Sequence, residues 1–446
     1  MSEKKFPNFK NKKVLILGLG LLGRGVKDAL FFAKKGAKVK VTDLKKAEEL
    51  KSSLEKLEDY EIEYTLGEHK KQDILEADLI IRNAAVSLKS KYLQLAEKHK
   101  KNIKMDEALF AKHCPCPIIG ITGTRGKTTT SSLIYQILKE NWENEEKKVY
   151  LSGNIQGEAA LPLIDKVNKQ DLVVLELSSW QLQGFAWEKI SPHIAVFTNI
   201  YPDHLNRYAG MREYINDKKN IFKFQKKKDY CIINNQNNYT KKIKLEINSQ
   251  VVPFFRGQVP SKWDIKIPGK HNLENIAAAI TVGQILGIKK GKMKTAVENF
   301  TGVEHRLEFV KNINDIEFIN DTTSTTPTSA KVALQSIKRP TILLAGGASK
   351  DLNLSPLAKA IVKNVKSVIL LEGSATDELE KKIIKNKGEN LIAGRFDNFE
   401  QAIKHAYGLA LPGDTILLSP GCASFGMFIN EFDRGEQFRK TVNQLE

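Results

Sequence analysis

Residues 13–43 read KVLILGLGLLGRGVKDALFFAKKGAKVKVTD, and no other stretch restricts the fold as much. Val14–Leu17 is an apolar run without alternation, which suits a strand covered on both faces. A glycine turn follows, then an amphipathic helical stretch ending near Gly36, then a strand ending at Asp43. Strand, helix and strand in that order make one unit of a parallel sheet and commit the chain to an α/β architecture.

The pattern repeats. IEYTLG and ADLIIRN supply further strands of the first unit. A second unit opens at CPIIGITGTRGKTTT, with strands expected in PIIGIT, KKVYLSG, DLVVLELSS and HIAVFTNI. From Asp229 to Pro268 the chain turns polar and Asn-rich, and irregular or short-strand structure is expected there. PGKHNLENIAAAITVGQILG restores a helix. A third unit starts near GVEHRLEFV, with strands in IEFIND, PTILLAGG, SVILLEG, NLIAG and DTILLSPG. Three α/β domains in series are expected, at 1–105, 106–302 and 303–446, in keeping with 446 residues at about 150 per domain. No short-period repeat interrupts them.

The net charge of +18 invites a nucleic-acid reading, but the lysines are scattered over polar faces without an aromatic-interleaved basic stripe. No nucleic-acid partner is expected. Of four cysteines, Cys114 and Cys116 lie in HCPCP beside His113, while Cys231 and Cys422 are isolated. No second ligand pair stands at a matching spacing, so incidental thiols of a reduced protein are expected rather than zinc. The N-terminus MSEKKFPNFKNKK has no apolar stretch, and no run approaches the roughly 20 apolar residues of a membrane helix. A soluble, cytoplasmic protein without membrane insertion is expected.

Two glycine turns carry chemistry. Gly18, Gly20 and Gly23 fit G-x-G-x-x-G between strand and helix, with Asp43 about 20 residues on. Such a turn lets backbone approach a diphosphate, which suits a nicotinamide- or flavin-dependent oxidoreductase; a tight turn without ligand is the plain alternative. The second turn, GITGTRGKTTT at residues 120–130, departs from strict G-x-x-x-x-G-K-[ST], because Ile121 stands where a glycine is required. Gly123 and Gly126 still permit tight curvature, Lys127 supplies a point charge, and Thr128 opens a helix whose N-terminal N–H groups favour phosphate. A Thr hydroxyl there can hold Mg²⁺. Glu176 follows an apolar strand, and His204 lies beside Asp203 after another; each alone reads as a turn cap, but beside a phosphate loop both become metal candidates.

The ordered set TGTRGKTT, LELSSWQL, NIYPDHLNRY, PGKHNLENIAAAI, VEHRLEF, INDTTSTTP and LLSPGCASFGMF resembles the Mur ligase family over essentially the full length. Within that family the chain is most similar to the branch that adds D-glutamate to UDP-N-acetylmuramoyl-L-alanine. The resemblance implies a Rossmann-like domain holding UDP, a central P-loop ATPase-like domain and a C-terminal Rossmann-like domain for the amino acid. ATP, with two Mg²⁺, would phosphorylate the substrate carboxylate, and the amine of D-glutamate would attack the acyl phosphate. A monomer whose domains close over ATP is implied.

By the same resemblance, Gly123, Thr124, Arg125, Gly126, Lys127, Thr128 and Thr129 form the ATP loop, with Lys127 on the phosphates. Thr128 and Glu176 hold one Mg²⁺, and His204 with carbamylated Lys218 a second; the neighbouring Lys219 makes the choice of lysine open. Asn275 meets adenine, and Arg306 and Asp321 the ribose or phosphates. Gly18, Leu19, Gly20, Leu21, Asp43 and Asn154 bind the UDP substrate, with Asp43 on uracil; Thr325, Lys350 and Ser424 meet the amino acid. Several positions depart from the family pattern. Asn83–Ala85 replaces Ser-Pro-Gly, Thr323 stands where a cation is usual, Glu431 replaces a phenylalanine with Phe432 one place on, and Arg125 replaces Asn. Arg125 could pair with a phosphate or the substrate carboxylate, or point to solvent. A related Mur or folylpolyglutamate-type ligase is the nearest alternative, and an NAD(P)-dependent oxidoreductase a more distant one.

Overall fold

The computed structural model describes residues 6–21, 23–155, 159–203, 207–267, 269–350 and 352–445. It is an α/β protein built on three sheets. The first contains β1 (Lys13–Leu17), β2 (Lys38–Asp43), β3 (Ile62–Leu66), β4 (Leu79–Arg82) and β5 (Ile103–Lys104). All pairs are parallel, in the order β3-β2-β1-β4-β5. β1 is apolar from Val14 to Leu17 because both its faces are covered there. Val14 and Ile16 pack with Phe31, Phe32 and Leu50, while Leu15 and Leu17 pack with Ile74, Ile80 and Leu93. The strand order reverses between β1 and β4, so the glycine turn after β1 lies at the topological switch point.

The second sheet contains β6 (Ile118–Thr122), β7 (Val149–Gly153), β8 (Leu172–Glu176), β9 (Ile194–Phe197), β10 (Tyr230–Asn234) and β11 (Gln250–Phe254). Its parallel order is β11-β10-β9-β6-β8-β7, so the loops leaving β9, β6 and β8 emerge side by side at one edge. The Asn-rich stretch takes the short-strand form: β10 and β11 pair in parallel over five residues each, with the helix Asn238–Ile243 between them. β11 is an edge strand, half exposed, and tolerates Pro253 for that reason.

The third sheet contains β12 (Glu308–Ile313), β13 (Ile316–Asn320), β14 (Thr341–Gly346), β15 (Ser367–Leu371), β16 (Ile392–Phe396) and β17 (Thr415–Leu418). Its order is β12-β13-β17-β14-β15-β16, and it is mixed: β12 and β13 form an antiparallel hairpin. Asn314 and Asp315 make its two-residue turn, both at positive φ (52° and 61°), as a type I′ turn requires. The first two sheets belong to one compact unit, Met1–Ser261 with Leu273–Val297, and the third to another, Lys262–Asn272 with Glu298–Glu446. Among the described residues no helix is long and apolar enough to cross a membrane.

Candidate functional site

The loop between β6 and the helix Lys127–Asn141 is held from below by the end of β9. Asn199 accepts from the Arg125 N–H (2.9 Å) and donates to the Arg125 carbonyl (3.1 Å) through one carboxamide. The Thr198 hydroxyl donates to that same carbonyl at 2.7 Å, and the Thr124 N–H donates to the Asn199 carbonyl. The Thr124 hydroxyl bonds the Tyr201 N–H and the Tyr214 hydroxyl. Gly126 caps the helix at φ 78°, and a Cβ there would overlap the Asn275 carboxamide. A Cβ at Gly123 would overlap the Thr198 hydroxyl. Gly120, counted with the loop by its sequence spacing, is instead a buried residue of β6 that leaves room for the Pro192 ring. The Arg125 side chain is exposed.

Two lysines converge on this loop. Lys127 donates to the carbonyls of Gly123 and Thr124, both at 3.1 Å. Lys218, 2% exposed, donates to the Gly123 carbonyl at 2.8 Å and lies over the Tyr214 ring. Burial, with Lys127 nearby, drives the Lys218 amine well below the ordinary lysine range, against the pull of Asp203 and Glu176. Lys219 turns away and pairs with exposed Glu246 at 2.7 Å. Glu176, at the end of β8, is 1% exposed. One of its oxygens accepts from Asn154 (2.9 Å), and the other is buried without a hydrogen-bond partner. A buried carboxylate with an oxygen to spare, in register with Ile121 of β6 just before the glycine loop, is donor chemistry that fits a hard divalent cation. His204 lies outside the described residues. Asn275 is buried and accepts from the Thr130 hydroxyl at 3.3 Å, behind the loop.

In the first sheet, Asp43 reaches back across the switch point. Its carboxylate accepts from the Leu19 N–H (2.8 Å), the Gly20 N–H (3.0 Å) and the Lys45 N–H (2.9 Å). Gly18, Gly20 and Gly23 all take positive φ, and Leu21 lies partly buried on the same turn. Asn83 packs beneath it, close to Gly18. Arg24, just past the turn, spans to the second sheet: it donates to the Gly153 carbonyl at 2.8 Å and pairs with Glu107 at 3.3 Å. Asp28 and Asp106 are buried alongside, and burial with the Glu107 charge pushes both carboxyls well up. Asn199, Arg24 and Gly25 were not singled out from sequence. The one available signal was the GRG that begins on the last glycine of the fingerprint; a Cβ at Gly25 would overlap the Leu19 carbonyl.

In the second unit, Asp321 is buried, with Ser419 donating to it at 2.7 Å and the Leu307 N–H at 3.2 Å. Burial pushes its carboxyl up to about 6, opposed by Ser324, Ser419, Leu307 and Arg306. Lys350 donates to the Thr325 hydroxyl at 2.8 Å, and burial lowers its amine. The Ser424 hydroxyl is buried without a partner. Thr323 is engaged with the His305 carbonyl (2.8 Å), and Phe432 packs edge-on against the His305 ring. Arg434, 1% exposed and unnoticed in the sequence, donates to the Thr322 hydroxyl and carbonyl, both at 2.9 Å. The Glu431 charge acts on both Lys350 and Arg434.

The chain matches three family models in order: Mur ligase MurD-like N-terminal domain at 12–104, Mur ligase middle domain at 121–258, and Mur ligase glutamate ligase domain at 305–422. It is 37% identical to the UDP-N-acetylmuramoylalanine–D-glutamate ligase of Roseiflexus sp., covering 97% of this chain and 99% of that one. The ligase of the same name from Borreliella burgdorferi is also 37% identical, covering 98% of each. Among solved structures, UDP-N-acetylmuramate-alanine ligase from Thermotoga maritima has the same fold, with a TM-score of 0.63 at 18% identity over 97% of this chain and 99% of that one. MurF ligase from the same organism, crystallised with ADP, gives 0.55 at 14% identity over 98% and 96%. With relatives this similar along their whole length, the chain belongs to the Mur ligase family.

Proposed function

We propose that this chain joins D-glutamate to UDP-N-acetylmuramoyl-L-alanine with cleavage of ATP to ADP and phosphate, as a cytoplasmic, monomeric step of peptidoglycan precursor synthesis. The near-full-length identity to relatives of that name supports the substrates. The observation that carries the chemistry is the meeting of Lys127, buried Lys218 and half-satisfied Glu176 around one phosphate loop. In this reading, residues 1–105 bind the UDP substrate through Gly18–Leu21 and Asp43, and Asn154 of the second domain contributes to the same substrate. Residues 106–302 bind ATP, and 303–446 bind the amino acid through Thr325, Lys350 and Ser424.

A carboxylate is unreactive towards amines at neutral pH, and phosphorylation gives it a leaving group. An oxygen of the alanyl carboxylate attacks the γ-phosphorus, the bond to the β-bridging oxygen breaks, and ADP departs. The D-glutamate amine then attacks the acyl carbon, and the tetrahedral adduct expels phosphate. The N–H groups at the start of the helix Lys127–Asn141 face the phosphates, and Lys127 exchanges its loop carbonyls for phosphate oxygens. Thr128 and Glu176 would hold one Mg²⁺, and His204 with Lys218 as a carbamate a second; bound there, the ions neutralise charge on the transferred phosphoryl group. Asn275 is assigned to adenine, Arg306 and Asp321 to ribose or phosphates. Ser424 and Lys350 offer a hydroxyl and a cation for the side-chain carboxylate. Phosphate release from ATP, measured with UDP-N-acetylmuramoyl-L-alanine and a panel of amino acids, tests the reading. Stimulation is expected with D-glutamate. No response to the nucleotide substrate defeats the assignment, while preference for another amino acid revises only the acceptor.

A further inference from the structure

We propose that Cys114 and Cys116 form a dithiol–disulfide site that is oxidised reversibly by a low-molecular-weight disulfide. Their Sγ atoms stand 3.5 Å apart across Pro115, in the bend between the helix Asp106–His113 and β6. The two thiols occupy different surroundings. Cys114 closes the helix, its N–H donating to the Phe110 carbonyl at 2.8 Å, and its side chain is partly accessible. Cys116 is 2% exposed, within the apolar core. An external disulfide can therefore reach Cys114, while Cys116 is shielded and already in position behind it.

The electrostatics divide the roles in the same way. A hydrogen bond from Cys116 pulls the Cys114 thiol below the usual cysteine range, against burial and the charge of Asp171. That bond and burial push the Cys116 thiol far up. Cys114 is thus the attacking thiolate and Cys116 the resolving thiol. In the first step the Cys114 thiolate attacks one sulfur of the external disulfide, forms a mixed disulfide and releases one thiolate. In the second, the Cys116 sulfur attacks the Cys114 sulfur, the bond to the external sulfur breaks, and the Cys116 proton passes to the departing thiolate. The external disulfide is reduced to two thiols as the protein dithiol is oxidised. Cys231 is fully buried and pushed up by burial, and Cys422 is buried and pushed up to about 11, so neither competes. The bridge would join a helix that meets Arg24 to the strand that leads into the phosphate loop. It does not depend on the ligase reading.

The test uses the full-length native chain in glutathione buffers running from fully reduced to fully oxidised, followed by acid quench, alkylation and intact mass. Wild type is expected to lose two of its four alkylatable thiols and retain no glutathione. Cys116→Ser should stop with one glutathione attached, and Cys114→Ser should stay unmodified in the same buffers. Phenylarsine oxide, which needs two neighbouring thiols, should bind wild type at one equivalent and neither variant; this readout on wild type does not require the variants to fold. A lasting glutathione adduct on wild type, four free thiols throughout, or peptide masses placing the oxidation at Cys231 or Cys422 would overturn the proposal.

Discussion

Arg125 presents its two halves to different surroundings. Its peptide is clamped by Asn199 and Thr198, while its guanidinium is exposed. The loop therefore depends on the residue's backbone more than on its charge. Arg125→Asn is expected to change kcat and the KM for ATP by less than about threefold, in line with most exposed substitutions. Asn199→Ala removes a donor and an acceptor from a half-buried peptide at a cost of about 1–3 kcal/mol, and should raise the KM for ATP roughly 10-fold or more. A tenfold loss in Arg125→Asn would show that the guanidinium acts on phosphate or substrate. Lys218 gives a second test at this scale. Its amine is buried on the Gly123 carbonyl, within reach of dissolved CO₂ chemistry only if it loses its proton, which burial favours. In bicarbonate-stripped buffer at low pH, activity should fall and return on adding bicarbonate, and Lys218→Ala should stay inactive in both. Full activity of that variant, with indifference to bicarbonate, would remove the carbamate from the mechanism.

At the level of strands and turns, Gly126 and Gly25 make separate demands. Gly126 sits at φ 78° against Asn275, so Gly126→Ala combines backbone strain of about 1 kcal/mol with overlap at the loop's helix. Loss of ATP binding by titration calorimetry is expected, with little change in fold by circular dichroism. Gly25→Ala drives a methyl into the Leu19 carbonyl and should lower the stability of the first unit by about 1–3 kcal/mol. The two turns also show what sequence reading can reach. β1, β6 and β8 were legible because strands buried on both faces are continuous apolar runs, and the turns because glycines mark them. β10 and β11 were legible only as short-strand or irregular structure, since one has a short apolar centre in polar flanks and the other is a half-exposed edge. Lys218 and Lys219 are identical in composition terms, and only helix facing separates them: Lys218 follows buried Tyr214 by four residues, a spacing that was available but unused. Asn199 and Arg434 act through backbone carbonyls and N–H groups of distant segments, contacts that leave no mark in local pattern. Thr323 shows the converse, since its hydroxyl has its own task on the His305 carbonyl in place of a cation's.

As a whole, the molecule is two compact units of unequal size, and the second holds a buried carboxyl, Asp321. In the second unit burial pushes the Asp321 carboxyl up to about 6, against about 3.9 in an unfolded chain. A raised pKa means the fold prefers the protonated carboxyl. The contribution to stability is complete below about pH 4 and is lost as pH rises through about 6, by about 3 kcal/mol at neutral pH. Asp321→Asn keeps an acceptor for the Leu307 N–H and offers Ser419 a donor, without a charge to bury. Scanning calorimetry should resolve two transitions, because each unit has its own core. The variant should match wild type near pH 4, and by pH 7 its second-unit transition should lie on the order of 5–10 °C above that of wild type. The first-unit transition should ignore this substitution and move down with Gly25→Ala. ATP with Mg²⁺ should raise the first-unit transition in wild type by mass action, and Gly126→Ala should abolish that rise. A single transition that shifts with all three variants would mean that the units unfold as one, and the assignment of Asp321 to a separate folding unit would fail.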